Sequence, residues 1–551
     1  MFHTRVPWRV LVGVLAVTLC ACTGATSSPS SAPPDAAPVK PKVNRLVMAT
    51  TPPSNESSNP RTIGGTDPFQ LRPIFENLIE MDARIGLKYV PGLATEWSFE
   101  DNETAIRFKL RKGVPFHFNY GEFTARDIVY TFDSYTGKDD SATQALIWKR
   151  MIKKIDVVND YEVVFHFNPT ATLIRMFSSG QAELVMRSKA AAEKEGDPTD
   201  LTKGLPGTGP YQFKERAPGA YFRVDRAPYQ HWRATPDFPE FEFRWIKEPS
   251  TRAAALMAGE VHVTDLPQEL QAAPVRGGMK VVRAQVPGLR AWVQFKCCYV
   301  DPQTGKYPMF PDAPLHNVKV REALNRAVDR EELARAFLPK SEPLYLNHMN
   351  PQWPGWDESW EKRFKGAYGY DPARARALLA EAGFTANNHM KLTVILSPNT
   401  YIASALDISE ALGEQWRRVG IDVTLAPFDG ATLAAQGRAY RLDNHVGFQA
   451  LSFDSIRAIQ VNNTNVTPPG TGWFDPKLLS MFNTLIVQMD PKKQEPLLRE
   501  LGEYGYSNYW DIPLFWVPLE VVINPTIVAD WVYPGQVNGA WSHFENMKAA
   551  R

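Results

Sequence analysis

"ENLIEMDARIGLKYVPGLATEWSFEDNETAIRFKLRKGVPFHFNYGEFTARDIVYTFD", Glu76 to Asp133, passes from extended to helical patterning within one segment. In "TAIRFKLRK" the apolar residues Ile106, Phe108 and Leu110 take alternate positions, the mark of a strand with one buried face. "TARDIVYTFD" then predicts a helix starting at Thr124, with Asp127 at its third position. Working outward, "YEVVFHF" (Tyr161 to Phe167) is aromatic and β-branched, and "PYQFKERAPGAYFRVDR" reads as two strands around the turn Ala217 to Ala220. "VREALNRAVDREELARAF" spaces Val320, Ala323, Leu324, Ala327 and Val328 along a helical stripe, and Asp329 with Glu332 forms the capping box of a second helix. "DPARARALLAEAGF" sets Asp371 as N-cap, Pro372 at the first helical position and Gly383 at the stop. "MKLTVILS" followed by "ASALDISEALGEQWRRVGIDVTLAPF" reads strand, long helix, Gly420, strand, which is a βαβ unit. The class is α/β with mixed sheets.

The chain has 551 residues, of which 44% are hydrophobic and 11% aromatic, enough for sizeable cores and for two or more domains. A formal net charge of +1 argues against nucleic acid as a partner, because phosphate recognition needs a concentrated basic surface. No G-x-S-x-G elbow, H-E-x-x-H pair, phosphate loop or dinucleotide fingerprint is present, and the 10 histidines are scattered without ligand spacing. "GLPGTGPY" (Gly204 to Tyr211) lacks the lysine and helix start of a phosphate cradle and reads as a tight turn into a strand. Cys297 and Cys298 are adjacent. They are compatible with a strained ring, two semi-buried thiols or a redox-labile pair, but not with a disulfide framework.

At the N-terminus the apolar run Val10 to Ala21 is short against the roughly 20 residues of a membrane-crossing helix. Arg5 and Arg9 precede it and small residues follow, the layout of an export signal. "LCAC", Leu19 to Cys22, resembles the bacterial lipobox, which implies that Cys22 is the lipidated residue and that Cys20 leaves with the signal; a plain signal cut near Ala21 is the alternative. "TGATSSPSSAPPDAAPVKPK" cannot bury a core and reads as a tether.

Several motifs stand in a fixed order. They are Pro91-Gly92-Leu93-Ala94, Trp97, the run Phe108 to Gly113, Phe116-His117, and Thr124-Ala125 with Asp127. "GTGPYQF", "RAPYQHW", "AALMAGEVHV", "VKVREALNRAVDREEL", "YDPARARALLAEAGF", "GEQWRRVGIDV" and "TGWFDPKLLSMFNTL" follow. In this order they resemble the family 5 extracellular solute-binding proteins, the peptide and nickel class serving ATP-binding-cassette importers. The resemblance covers the chain from about residue 43 onward. It implies an α/β two-lobe periplasmic-binding-protein-like fold (type II, large peptide-binding subclass) with mixed sheets, a ligand enclosed by hinge closure, a monomer, a membrane permease as partner, no cofactor and no catalysis. The expected layout is a lipoprotein signal at 1–21, the tether at 22–42, and lobe I with an inserted subdomain at 43–286. Lobe II follows at 287–515, and 516–551 return to lobe I. The crossings are expected near "RAQVPGLRAW", where Pro287 and Gly288 interrupt a strand-like run, and near "IPLFWVPLEV".

Ligand recognition departs from the family's pattern. Peptide-binding relatives place an acidic residue three positions after an aromatic to accept the α-ammonium; here the aromatic is Phe448 and the third position is Leu451. Asp454 replaces it only with a shifted loop, and otherwise caps the helix at "SIRA". "FHFNYGE" adds Tyr120 where the family's loop approaches the cleft, and Phe428 and Trp473 are further aromatic candidates for the pocket wall. "FKCCYVDPQTGKYPMFPD" replaces a short family link with an insertion carrying Lys296 and the cysteine pair; it rims the cleft or decorates lobe II. The expected solute is an oligopeptide or a peptide-like molecule. The alternatives are a metal chelate or other small solute on the same fold, or a secreted hydrolase.

Overall fold

The computed structural model describes residues 40–551, apart from 54–55, 57–58, 62–68, 83, 85–87, 101–103, 138–144, 179–183, 197–204, 285–288, 302, 352, 398, 400–401, 403, 452–454, 464–472 and 535–542. The signal, nearly all of the tether, Cys22, Asp454 and the Pro287-Gly288 pair lie outside the described residues. No helix among the described residues is long and apolar enough to cross a membrane.

The first lobe opens on β1 (Arg45–Thr50), and the ribbon β2 (Ile79–Asp82) and β3 (Lys88–Pro91) leads to a four-stranded antiparallel sheet. That sheet contains β4 (Ala94–Glu100), β5 (Ala105–Leu110), β6 (Ile152–Asn159) and β7 (Glu162–Phe167) in the spatial order 4-5-7-6. The alternation in "TAIRFKLRK" becomes β5, whose Ile106, Phe108 and Leu110 enter one core with Phe165 and Phe177. The chain then returns to β1 through β8 (Tyr211–Ala217), β9 (Tyr221–Arg226), β10 (Glu240–Trp245), β11 (Val263–Thr264) and β12 (Lys280–Arg283). The second lobe holds β13 (Leu289–Lys296), β14 (Glu342–Pro343), β15 (Lys391–Leu396), β16 (Asp422–Pro427), β17 (His445–Leu451) and β18 (Ile512–Val517), in the order 14-18-13-17-15-16. Finally β19 (Glu520–Ile523) rejoins the first, seven-stranded sheet in the order 12-19-11-1-10-9-8, and β20 (Val528–Asp530) pairs with β21 (Lys548–Ala549).

Local chemistry accounts for the elements. The helix Ala125–Thr136 starts with a capping box in which Thr124 N donates to Asp127 Oδ2 at 2.8 Å. Asp329 accepts from Glu332 N, and Asp371 from Arg374 N, both at 2.9 Å, which starts the helices Arg330–Phe337 and Pro372–Glu381. The helix Ala405–Arg417 connects β15 to β16, which pair in parallel, and this is the βαβ unit. "LPGTGPY", Leu205 to Tyr211, is packed backbone, as a turn into β8 requires. Gly209 N donates to Ile74 O at 2.8 Å, and a Cβ added at Gly207 would lie 2.0 Å from Ile74 O.

The chain crosses between lobes after Ala284 and again through Pro518 and Leu519, and the crossings are bonded to each other, with Ala284 N donating to Leu519 O at 2.9 Å. Leu519 also packs against the cores of both lobes. The C-terminal segment is clasped to the first lobe by Arg233, which is paired with Glu545 and, at 3.2 Å, with Glu76; His543 lies 2.9 Å from Glu545. Burial pushes both carboxyls up, but His231 and Arg233 at Glu76, and Arg233 and His543 at Glu545, more than reverse it and hold each at about 2. Burial lowers His543 and Glu545 more than reverses that, so its pKa is raised.

Arg233→Met leaves the buried Glu76 and Glu545 without their shared cation, so urea unfolding is expected to show a loss of about 3–5 kcal/mol. With both carboxyl values depressed, the contribution of Glu76 and Glu545 is fully present above pH 4.5 and is lost as pH falls toward about 2. The His543 contribution is present below the imidazole's ordinary 6.5 and fades as pH rises through its raised value. The variant's unfolding midpoint should show a shallower acid decline than the wild type's, because His231 still holds Glu76 and His543 still holds Glu545.

Candidate functional site

β13 runs in the middle of the second-lobe sheet, antiparallel to β17 on one side and β18 on the other, and every residue in it is buried. Side chains alternate across a strand. Leu289, Ala291, Val293 and Phe295 therefore enter the second-lobe core, while Arg290, Trp292, Gln294 and Lys296 occupy the opposite face. Register sets their neighbours: Arg290 is opposite Leu451, Trp292 opposite Gln449, Gln294 opposite Gly447 and Lys296 opposite His445. On this face Trp292, Trp516 and Leu344, with Leu451 against them, form a small apolar cluster separate from the main cores.

Behind Arg290 lies a buried polar group. Arg290 Nη1 donates to His348 Nδ1 at 3.3 Å, and the His348 ring stands edge-on to Trp292 with centroids 5.7 Å apart. Asn347 donates to Asp511, whose Oδ2 is 3.9 Å from His348 Nε2. Burial lowers Arg290 to about 9 against the attraction of Asp511, and it raises Asp511 to about 8 against Asn347, Arg290 and Arg330. Burial and the Arg290 charge hold the His348 imidazole well below its ordinary range, so it is neutral.

The two lobes meet at several points, one of them at this face. The Arg175 charge, on the helix Leu173–Met176, reaches both Arg290 and Tyr89 on β3. Ala171 N donates to Ile486 O at 2.6 Å, Lys340 Nζ to Gln271 Oε1 at 2.8 Å, and Arg283 to Glu342 at 2.8 Å. At the far end of β13, Lys296 donates to Gln294 Oε1, and Gln294 Nε2 donates to Asn462 Oδ1 at 3.2 Å. Burial draws the Lys296 ammonium down to about 8. Cys297 and Cys298 are joined in a buried disulfide directly after it.

The residues singled out in the sequence fall in different places. Phe428 is half-buried and stacks on His445 at 6.1 Å, so it adjoins the Lys296 end of the polar face. Phe448 points the other way: it shares its side of β17 with Val446 and Ala450 and is a core residue. Trp473 is also core, under Arg321 at 4.7 Å and against Tyr504 at 6.2 Å. Tyr120 sits on the first lobe, where its hydroxyl donates to Glu195 and Lys194 lies 5.3 Å over its ring. No described contact brings Tyr120 to β13, and Asp454 is outside the described residues. Arg290, Trp292 and Gln294 were missed, although "LRAWVQFK" carries the signal in its polar second positions. Among the described residues no cluster of His, Cys, Asp and Glu could hold a metal ion.

A family model described as bacterial extracellular solute-binding proteins, family 5, matches residues 88–471. The chain belongs to this family, and its fold is the α/β two-lobe fold of periplasmic binding proteins. It is similar to the dipeptide-binding protein of Escherichia coli K12, 26% identical over 400 residues covering 68% of this chain and 70% of that protein. The Helicobacter pylori periplasmic binding protein DppA, solved in complex with the peptide STSA, superposes with a TM-score of 0.72 at 19% identity, covering 92% of this chain and 98% of that one. HbpA2 from Haemophilus parasuis gives a TM-score of 0.75 at 21% identity, covering 92% and 100%.

With its carboxyl raised to about 8 in the fold, Asp511 binds more protons folded than unfolded between pH 3.8 and 8. Its contribution to stability therefore falls as pH rises through that window, by up to about 1.4 kcal/mol per pH unit. Denaturant titrations across the window should show a shallower decline for Asp511→Asn than for the wild type.

Proposed function

We propose that the chain captures a peptide or peptide-like solute between its lobes and presents the closed form to the permease of an ATP-binding-cassette importer. The observation that carries this reading is the row Arg290, Trp292, Gln294 and Lys296: polar or aromatic side chains buried on the face of a central strand that begins directly after the first crossing. Family membership and the dipeptide-binding relative support it. Binding is the whole activity in this reading, with no bond made or broken, because a ligand shifts the open and closed populations by the contacts it makes only in the closed form.

In this account lobe I comprises 43–286 with the inserted four-stranded subdomain, lobe II 287–515, and 516–551 complete lobe I. The hinge is the bonded pair of crossings at Ala284 and Leu519. Of the aromatics singled out in the sequence, Phe428 contacts the solute at the rim, beside Trp292 and Trp516 deeper in. The protein works as a monomer on the extracytoplasmic face, where the lipid on Cys22 keeps it near its permease and raises the effective concentration. Cys22→Ser is expected to move the exported protein from the membrane to the soluble fraction; unchanged membrane association removes lipidation from the account.

Native mass spectrometry of the purified protein should find bound peptides, recovered intact after prolonged incubation, and X-ray scattering should give a smaller radius of gyration with them than without. A cleaved product contradicts the binding reading, and superimposable scattering curves contradict closure. Trp292→Ala should weaken the retained ligand by more than about 1 kcal/mol, because aromatic anchors dominate such sites.

A further inference from the structure

The unused hydrogen-bonding capacity on the polar face of β13 is weighted toward donors. Lys296 is 6% exposed, its ammonium reaches Gln294 Oε1, and among the described residues no carboxylate pairs with it. Trp292 Nε1 is buried on the same face with no acceptor among the described residues. His445 Nδ1 is likewise buried without a partner among them. Ammonium and indole groups can only donate. His445 is the residue directly opposite Lys296, so their Cβ atoms are about 5 Å apart. Phe428 stacks on the His445 ring and holds it in place.

A buried cation without a counter-charge is costly, and a single amide oxygen does not offset it. The neighbouring groups do not supply the missing charge: Gln294 and Asn462 are neutral amides that bond to each other. Among the described residues the other end of the face offers a cation no uncommitted carboxylate: Leu451 faces Arg290 and packs with Trp292, Leu344 and Trp516, and Asp511 accepts from Asn347 and acts on Arg290. The complement of this face is a carboxylate.

Resting on the interlobe reading above, we propose that Lys296, with His445 beside it, is the anion receptor of the site: the solute is an acidic, peptide-like molecule held by a carboxylate at Lys296 and not by its α-ammonium. The charge comes from the ligand, so the unliganded protein carries the buried ammonium at a loss that binding relieves.

The test uses the purified full-length protein and a tryptic digest of casein in three forms: untreated, N-acetylated, and with every carboxyl group converted to an amide. Binding is read by native mass spectrometry and calorimetry. The untreated and N-acetylated digests are expected to bind alike, and the amidated digest to bind at least about tenfold more weakly. In Lys296→Met, and in Lys296→Gln as a second neutral variant, this preference for the acid should vanish while the melting temperature of the unliganded protein rises. Equal binding of acid and amide by the wild type, loss of binding on N-acetylation, a preference that survives both variants, or a lowered melting temperature in both overturns the assignment to Lys296 and leaves the peptide reading standing. Failure of the wild type to bind any of the three digests overturns the peptide reading itself, and this proposal with it.

Discussion

A strand in the middle of a sheet has two faces to satisfy, and in β13 they are satisfied differently. One row, Leu289, Ala291, Val293 and Phe295, is continuous with the second-lobe core and is fixed there by close packing. Because the backbone is shared, that packing also fixes Arg290, Trp292, Gln294 and Lys296 on the other side. A register slip of one residue would put a lysine and an arginine into hydrocarbon, so the register is strongly specified. The site is thus placed by the core, on a rigid element rather than a loop.

The same constraint explains how closure can depend on ligand. Removing charges from water costs free energy that only good geometry and a counter-charge recover. Among the described residues, the acid that acts on Arg290 is Asp511, which burial pushes toward its protonated form. In the proposed reading, a ligand that complements these groups favours the closed form. The hinge lets the lobes respond: the crossings are bonded to each other at Ala284 and Leu519, and the clasp of Glu76, Arg233, His543 and Glu545 keeps the returning segment with the first lobe.

Much of the fold was legible because its signals are local. Caps at Thr124, Asp329 and Asp371 act within a few residues of themselves, and the βαβ unit from Lys391 to Pro427 announces its period change directly. The family order of motifs extends that reading well beyond these elements, and the family model matches residues 88–471. The candidate site was less legible because it depends on which face a residue takes and on what crosses from elsewhere. Phe448 and Trp473 are aromatic at suggestive positions, but Val446 and Ala450 beside Phe448 already assign it to the core side of β17. Lys296 reads as the start of an insertion and is in fact the last residue of β13, opposite His445. His348 and Asp511 reach Arg290 from segments distant in sequence, which no single-chain pattern reveals.

Hydrogen–deuterium exchange with and without the peptides the protein retains is the most direct test of closure over β13. Added protection is expected where the lobes meet, at residues 171–176, 342–350 and 486–489, with the rest of each lobe unchanged. Protection confined to surfaces remote from β13, or none at these segments despite tight binding, would contradict it.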